Sequence, residues 1–159
     1  MTEITSRRKS NAERSAQMRQ KLVDTARALF VSDGYAQTST PDIVKAADVT
    51  RGALYHHFAD KKDLFLAVIR QENEAVAKEI EDAANTSSDG IDMLMEGASA
   101  YFDAMQRPGR CRLLLLDGPS VLGYEVMQQI DAEFSAKSLK EGLTAAEGMS
   151  QPDAFRLIF

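Results

Sequence analysis

The chain has 159 residues, one cysteine and a formal net charge of −5 at pH 7. The single cysteine, Cys111, excludes an intrachain disulfide framework and a multi-cysteine zinc cluster. The longest uninterrupted run of Leu, Ile, Val, Phe or Met is 113–116, far short of the ~20 apolar residues that a membrane helix needs. No apolar stretch follows the basic residues 7–9, so no secretory signal is predicted and the protein is expected in the cytoplasm.

Charge is divided unevenly along the chain. Residues 1–66 carry 11 Lys and Arg against 8 Asp and Glu, a balance of +3, whereas residues 67–159 carry 8 against 16, a balance of −8. A basic segment attracts a polyanion, and an acidic segment is repelled by it. This division favours two domains, a basic N-terminal domain that ends near residue 66 and an acidic body over residues 67–159.

The first predicted helix begins near residue 10. Ser10 and Glu13 have the spacing of a capping box, and Gly34 is expected to end the helix. Apolar residues recur between them at helical spacing. They are Leu22, Ala26, Leu29 and Phe30.

Residues 40–64 predict two short helices joined by a tight turn, followed by the start of a third helix. Thr40 is the expected N-cap of the first of these helices, with Pro41 at its first helical position. The turn is placed at Asp48, and Thr50 is expected to cap the second helix. Many proteins use this arrangement to place a helix in the DNA major groove.

The second helix of this pair presents two faces of different character. Leu54 and Phe58 recur at four-residue spacing and are expected to pack inward. Small residues at Gly52 and Ala53 allow the helix to approach a phosphate or a base edge closely. Arg51 supplies a donor fork suited to guanine or phosphate. The combination favours DNA recognition over a purely structural helix.

The run LYHHF at residues 54–58, followed by DKKDL at residues 60–64, resembles the signature of TetR-type transcriptional regulators. The resemblance covers residues 10–66, and the rest of the chain is similar to that family only in its helical pattern and length. One departure is Asp48, where the family's turn usually carries glycine. Aspartate is among the few other residues that tolerate a left-handed backbone conformation, so the turn can still form.

The resemblance implies an all-α fold. In that fold an N-terminal three-helix helix-turn-helix DNA-binding domain is joined by a long helix to a C-terminal helical ligand-binding and dimerisation domain. It also implies a homodimeric repressor whose two recognition helices enter successive major grooves of a palindromic operator. A small molecule bound in the body would move the long helix that begins after Asp60 and release the DNA.

Carried over residue by residue, the resemblance assigns a set of DNA-facing positions. They are Thr40, Thr50, Arg51, Gly52, Ala53, Tyr55, His56, His57 and Lys61. Tyr55, His57 and Lys61 are expected to reach phosphates. Arg51 and His56 are expected at base edges.

The body is predicted to consist of helices separated by polar or glycine-containing breaks. The predicted helices are 60–84, 91–105, 110–117 and 124–147. The polar segment 85–90 is the expected linker, and Gly118-Pro119 is expected to form a kink.

The apolar and aromatic residues of the body form either ordinary core or the lining of an adaptable pocket, since methionine fits irregular ligands. If the last three helices surround a cavity, its expected lining consists of Phe102, Met105, Leu114, Met127 and Ile130. The ligand is then a mostly apolar small molecule. The charge balance of −8 in the body favours a neutral or cationic one.

Catalytic, metal and cofactor sites are not predicted. His56 and His57 are adjacent, so on a helix they point about 100° apart and make a poor metal pair. Both histidines lie in the predicted recognition helix, which leaves the body without a histidine base for a catalytic triad. The chain is therefore not expected to be an enzyme.

Two other classes of function remain open from the sequence. A ligand-independent architectural DNA-binding protein would need no pocket and would show weak sequence preference. A small-molecule carrier that has lost DNA binding would tolerate loss of Arg51 and Lys61.

The C-terminal residues predict a helix that is too short to be stable alone. Gly148 ends the preceding helix and Ser150 and Asp153 form a new cap, after which only residues 154–159 follow. The family resemblance implies two further helices that form a dimer interface. We therefore expect the body to be incomplete at the C-terminus and the omitted portion to carry most of the dimer contact.

Overall fold

The computed structural model describes residues 10–84 and 90–145, with the side chains of residues 10–83 and 95–134. Within these ranges every regular element is helical, which confirms the all-α class. In chain order they are α1 (Asn11–Ser32), α2 (Thr40–Ala46), α3 (Arg51–His57), α4 (Lys61–Ala84), α5 (Gly90–Met105), a π-helical segment (Arg112–Asp117), α6 (Gly118–Leu122) and α7 (Tyr124–Ala145). The chain divides into two compact units between Phe65 and Leu66.

The ends of α1 follow from local capping. The Ser10 hydroxyl accepts a hydrogen bond from the Glu13 N–H, and the Glu13 carboxylate accepts one from the Ser10 N–H, which is the predicted capping box. The helix ends at Ser32, and Gly34 two residues later has a φ of 87°. Glycine adopts this left-handed conformation without the steric cost that a Cβ imposes.

The core of the first unit contains a cluster of three aromatic rings. The ring of Phe30 lies 5.1 Å from that of Phe65 in an edge-to-face arrangement, and the ring of Tyr35 lies 4.8 Å from that of Phe65. Aromatic rings at these distances attract one another beyond their burial alone. The fully buried side chains of this unit also include Leu22, Ala26, Ile43, Leu54 and Leu64. Helices α2 and α3 pack against α1 and against each other.

The second unit differs from the prediction between residues 110 and 122. The helical backbone is not interrupted at Gly118-Pro119 but continues from the π-helical segment directly into α6, and the break comes at Gly123, whose φ is 93°. Pro119 lies within this continuous helical run and has no N–H to donate to the π-helical segment before it. A Cβ at Gly118 would lie 2.9 Å from the Leu113 carbonyl oxygen and 2.9 Å from the Met127 Sδ, so glycine permits the close packing of α6 on α7.

Two sequence predictions lie largely or wholly outside the described residues. The predicted linker at 85–90 falls in the gap up to Gly90, where α5 begins. The predicted C-terminal cap and the residues after it fall beyond residue 145, so the expectation of an incomplete body is not addressed by the described helices. None of the described helices is both long and apolar enough to cross a membrane.

Candidate DNA-binding interface and effector cavity

The cap of α2 corrects the sequence prediction by one residue. Ser39, not Thr40, is the N-cap, because its hydroxyl accepts a hydrogen bond from the Asp42 N–H and the Asp42 carboxylate accepts one from the Ser39 N–H. The Ser39 hydroxyl also donates to that carboxylate, and these hydrogen bonds lower the pKa of Asp42. The capping box requires an acidic or amide side chain three residues after the cap, and only Ser39 has Asp42 at that spacing. Thr40 becomes the first helical residue and is half-buried.

The turn between α2 and α3 forms as predicted. Asp48 has a φ of 50°, the left-handed conformation that aspartate tolerates better than most residues. Thr50 then caps α3, and its hydroxyl accepts a hydrogen bond from the Ala53 N–H at 3.1 Å. These two local signals fix the direction in which α3 leaves α2.

The outer face of α3 carries most of the predicted DNA contacts. Arg51, Gly52 and His56 are exposed, and the side chain of Tyr55 is 43% exposed. The Arg51 guanidinium carbon lies 5.4 Å from the centroid of the Tyr55 ring. A guanidinium over an aromatic face is held in place by a cation–π interaction. Arg51 and Tyr55 are therefore presented to solvent as one unit, while Ala53 is half-buried behind them.

No contact within the described residues explains why position 52 is glycine. A Cβ added there would meet nothing closer than the Thr50 Oγ1 at 3.9 Å, so the protein itself leaves room for a side chain. Glycine in a helix costs roughly 1 kcal/mol relative to alanine. The absence of a steric reason within the described residues agrees with close approach of an external partner at this point.

The two histidines at the end of α3 occupy different environments. Their ring centroids are 5.0 Å apart with an interplanar angle of 76°. His57 is half-buried, and burial together with the nearby charges of His56 and Arg19 lowers its pKa. Among the described residues no group of three or more His, Cys, Asp or Glu side chains is arranged to hold a metal ion.

Lys61 makes contacts that the sequence did not predict. Its ammonium donates hydrogen bonds to the carbonyl oxygens of Tyr35 and Thr38, each at 2.9 Å, and lies 4.2 Å from the centroid of the Tyr35 ring. An ammonium has three donors, and two of these are therefore used within the protein. Asp60 caps α4 immediately before Lys61, because its carboxylate accepts a hydrogen bond from the Asp63 N–H. Only one donor of the Lys61 ammonium therefore remains for the predicted phosphate contact.

The second unit contains a cavity of 630 Å³. Met105, Leu114 and Met127 line it, as the sequence suggested. Its other described lining residues are Asn73, Val76, Tyr101, Leu115, Pro119, Tyr124, Gln128, Asp131 and Ala132. The lining is mostly apolar, and its polar side chains include Asn73, Gln128 and Asp131. A volume of this size suits a small organic molecule.

Two residues predicted to line the cavity lie elsewhere. Phe102 is 66% exposed and packs edge to face on Tyr101, and Ile130 is buried in the core with 1% of its surface exposed. The reason is helical phase, since successive residues point about 100° apart. Tyr101 and Met105, four residues apart, share the face toward the cavity and Phe102 does not. Asn73 and Val76 are not among the predicted lining residues, because the sequence pattern of α4 indicates only a helix that connects the two domains.

Comparison with known proteins identifies the family. Residues 22–68 match the family model described as bacterial regulatory proteins, tetR family. The chain belongs to the TetR family. The HTH-type transcriptional regulator AcrR of Shigella flexneri is 36% identical over 109 residues, which cover 68% of this chain and 50% of AcrR. The HTH-type transcriptional regulator QacR of Staphylococcus aureus is 38% identical over 55 residues, 35% of this chain and 29% of QacR.

Solved structures of TetR-family proteins extend the similarity to both units. A TetR-family transcriptional regulator from Pectobacterium atrosepticum superposes with a TM-score of 0.75 at 29% identity, covering 94% of this chain and 79% of that one. The relatives are named as transcriptional regulators, so the expectation that this TetR-family chain is not an enzyme is confirmed. The chain spans about half the length of the AcrR protein that it matches.

Proposed function

We propose that this TetR-family regulator is a repressor that binds a palindromic operator as a homodimer and is released by a small molecule. The observation that carries the proposal is the exposed face of α3, where Arg51, Tyr55 and His56 extend into solvent beside a glycine that the fold does not require. A recognition helix that presents such side chains can enter the major groove and read base edges. Acting on operator DNA places the protein in the cytoplasm.

The DNA-facing residues divide into base-reading and phosphate-binding groups. Arg51 and His56 are proposed to contact base edges, because both are exposed on the outer face of α3. Tyr55 and His57 are proposed to contact phosphates. Thr40, Thr50, Gly52 and Ala53 complete the surface at the helix starts. Lys61 is proposed to act mainly by positioning the helix-turn-helix, because two of its donors bind backbone carbonyls.

The cavity of the second unit is the proposed effector site. Its Met and Leu side chains suit a mostly apolar molecule, and Asp131 is the one acidic or basic side chain among its described lining residues. A carboxylate without a cationic neighbour in the lining favours a neutral or cationic ligand. Such a ligand releases the operator if it binds the DNA-free conformation better. A coupling of about 1–3 kcal/mol gives a 5- to 150-fold effect on operator affinity.

The test is selection of DNA from a random duplex library by the purified chain, followed by titration of the selected sequence at several salt concentrations. A palindromic consensus is expected, with binding that falls by several orders of magnitude between low and moderate salt if roughly 6–10 phosphates are contacted. Salt-independent binding contradicts the proposal. Arg51→Ala should cost roughly 1–3 kcal/mol and relax preference at one base pair.

The same selection separates the two alternative functions. An architectural DNA-binding protein would yield no consensus and no response to cell-extract metabolites. A carrier would bind metabolites without retaining any DNA, and Arg51→Ala would have no effect on it. A consensus together with metabolite-dependent release is expected of the proposed repressor.

A further inference from the structure

The second unit contains a buried arginine that contacts two carboxylates of α4. Arg110 is the first helical residue after the turn 106–109 that follows α5, and it is 6% exposed. Its Nε donates to Glu72 at 2.9 Å, and its Nη1 donates to Glu79 at 3.0 Å and to the carbonyl oxygen of Ala104 at 2.8 Å. Glu72 is 3% exposed. We refer to Arg110, Glu72, Glu79 and the Ala104 carbonyl as the Arg110 cluster.

Within the Arg110 cluster the Arg110–Glu72 pair is almost entirely shielded from water, whereas the Glu79 side chain is 31% exposed. Burial alone would lower the pKa of Arg110, but hydrogen bonds from the guanidinium to Glu72 and Glu79 outweigh it and raise that pKa. The hydrogen bond from Arg110 likewise lowers the pKa of Glu79. Removing one partner from such a buried pair leaves an uncompensated charge, which is strongly unfavourable. The turn after α5 and the facing part of α4 are therefore expected to move together.

Residues of the Arg110 cluster are direct neighbours of the cavity lining on both of its sides. On α4, Asn73 follows Glu72 and Val76 lies between the two carboxylates, and both line the cavity. At the end of α5, Met105 follows Ala104 and lines the cavity too. The Cys111 thiol next to Arg110 donates to the Met105 carbonyl oxygen at 3.0 Å. One guanidinium thus joins two walls of the cavity.

We propose that Arg110 is a positioning residue that transmits occupancy of the cavity to α4. A molecule that displaces Met105 cannot simply widen the cavity, because Arg110 ties the adjacent turn to Glu72 and Glu79. The displacement passes to α4, a continuous helix from Lys61 to Ala84. The inference rests on the proposed effector site and adds the residue through which that site acts.

A second ion pair between α4 and the rest of the unit provides a matched control. Arg70 on α4 lies 2.9 Å from Glu133 on α7, and both side chains are about half exposed (47% and 49%). Surface ion pairs of this kind contribute little to the free energy of unfolding, because water screens the charges and the side chains lose entropy when they pair. Breaking this pair should therefore leave transmission from the cavity to α4 intact.

The experiment uses the full chain and N-phenyl-1-naphthylamine, a neutral apolar fluorophore, as the probe of the cavity. The test variant is Arg110→Met with Glu72→Met, which removes both charges of the buried pair and leaves Glu79 beside Arg107 at 3.3 Å. Replacing a buried ion pair by apolar residues of similar size usually preserves folding. The control variant is Arg70→Met with Glu133→Met. Probe affinity is measured by fluorescence, and backbone hydrogen exchange is measured across α4 with and without saturating probe.

In the unmodified chain, saturating probe should change the rate of backbone hydrogen exchange of residues 66–72 by about fivefold or more. These residues precede the cavity contacts on α4. The control variant should show the same change. The Arg110→Met, Glu72→Met variant should bind the probe with similar affinity and lose the change at residues 66–72. A merely structural Arg110 would instead alter folding or probe affinity and leave the propagated change in place.

Three results would overturn the inference. They are an equal exchange change in the test variant, no change in α4 of the unmodified chain at saturation, and no binding of the probe, which would also remove the effector site. Failure of the regulator proposal itself is distinguishable, because it would appear in the DNA selection as absence of a consensus while the exchange result stands.

Discussion

The ammonium of Lys61 lies 2.9 Å from the carbonyl oxygen of Tyr35 and 4.2 Å from the centroid of the same residue's ring. A single side chain at the start of α4 thereby holds the segment between α1 and α2, since it also donates to the carbonyl oxygen of Thr38. That segment leads directly into the cap of α2 at Ser39. The position of the helix-turn-helix therefore depends on an interaction between residues 26 positions apart.

Replacing Lys61 by methionine should lower the free energy of unfolding by about 1–3 kcal/mol, because charge-assisted hydrogen bonds to two carbonyl groups are lost. Operator affinity should fall with it. The slope of log affinity against log salt should change by much less than the ~0.9 expected for loss of one phosphate contact. Urea unfolding and operator titration at several salt concentrations measure the two effects.

Lys62→Met is the matched control, because Lys62 is the neighbouring lysine and its side chain is exposed. An exposed substitution of this kind should change stability by no more than about 0.5 kcal/mol. If Lys61→Met leaves stability unchanged and lowers the salt slope by about 0.9, then Lys61 acts as a phosphate ligand and the positioning role is wrong.

Gly52→Ala should stabilise the fold and weaken operator binding. The added Cβ has open space within the protein, with its nearest neighbour 3.9 Å away, and alanine favours a helix by up to about 1 kcal/mol. At the DNA surface the same methyl group prevents close approach, and we expect about tenfold weaker binding, or ~1.4 kcal/mol. Thermal unfolding tests the expected gain in stability, and operator titration of the same preparation tests the expected loss of affinity.

Gly97→Ala provides the comparison for this substitution. Gly97 lies within α5, and a Cβ there would make an ordinary contact of 3.5 Å with the Ile80 side chain. This variant should gain stability without any change in operator affinity. Equal operator affinity for Gly52→Ala and the unmodified chain would show that glycine at position 52 has no role in DNA binding.

The helix-turn-helix could be predicted from the sequence because its signals are local. The capping box at Ser10, the turn at Asp48 and the cap at Thr50 each depend on residues within a few positions of one another. The one local error, Thr40 in place of Ser39, came from two adjacent residues that can both cap a helix. Asp42, three residues after Ser39, decides between them.

The cavity lining was predicted less completely, because its geometry depends on helical phase and on distant contacts. A list of apolar residues on α5 could not separate Phe102, which faces solvent, from Tyr101 and Met105, which face the cavity. The contact between Arg110 and Glu72 joins residues 38 positions apart, and no sequence pattern connects them. Such a contact depends on how the helices pack, and the packing cannot be deduced from short patterns in a single sequence.

The stability of the first unit should depend on the protonation of His57. Burial, His56 and Arg19 lower its pKa in the folded chain, so the unfolded chain binds more protons as the pH falls below the ordinary histidine value of about 6.5. The stability that neutral His57 provides is full above that value and is lost as the pH falls through the folded pKa. His57→Gln should therefore show a smaller loss of unfolding free energy between pH 8 and pH 5.

Urea unfolding across this pH range measures the difference between His57→Gln and the unmodified chain, which cancels the contribution of other titrating groups. His56→Gln should make the loss of unfolding free energy at low pH partly smaller, because the charge of His56 is one of the causes of the lowered pKa of His57. Identical pH dependence in the unmodified chain and His57→Gln would show that His57 titrates alike in the folded and unfolded states.

Filling the cavity should abolish the effector response without disturbing DNA recognition. Met127 lines the cavity from α7, and Met127→Trp adds bulk there while the exposed face of α3 is unaltered. We expect the affinity for N-phenyl-1-naphthylamine to fall about tenfold or more, or ~1.4 kcal/mol. Release of the operator by an effector should be lost, and operator affinity itself should stay largely unchanged. Overpacking costs about 1–3 kcal/mol, so circular dichroism must first show a folded variant.

The control for Met127→Trp is Phe102→Trp, which adds comparable bulk at a position that faces solvent. Phe102 is 66% exposed and is absent from the described lining, so this variant should bind the probe and respond to an effector as the unmodified chain does. A folded Met127→Trp variant that keeps full probe affinity and full operator release would place the effector site outside this cavity. Loss of response in Phe102→Trp alone would place it on the surface that Phe102 shares with Tyr101, where the two rings pack edge to face.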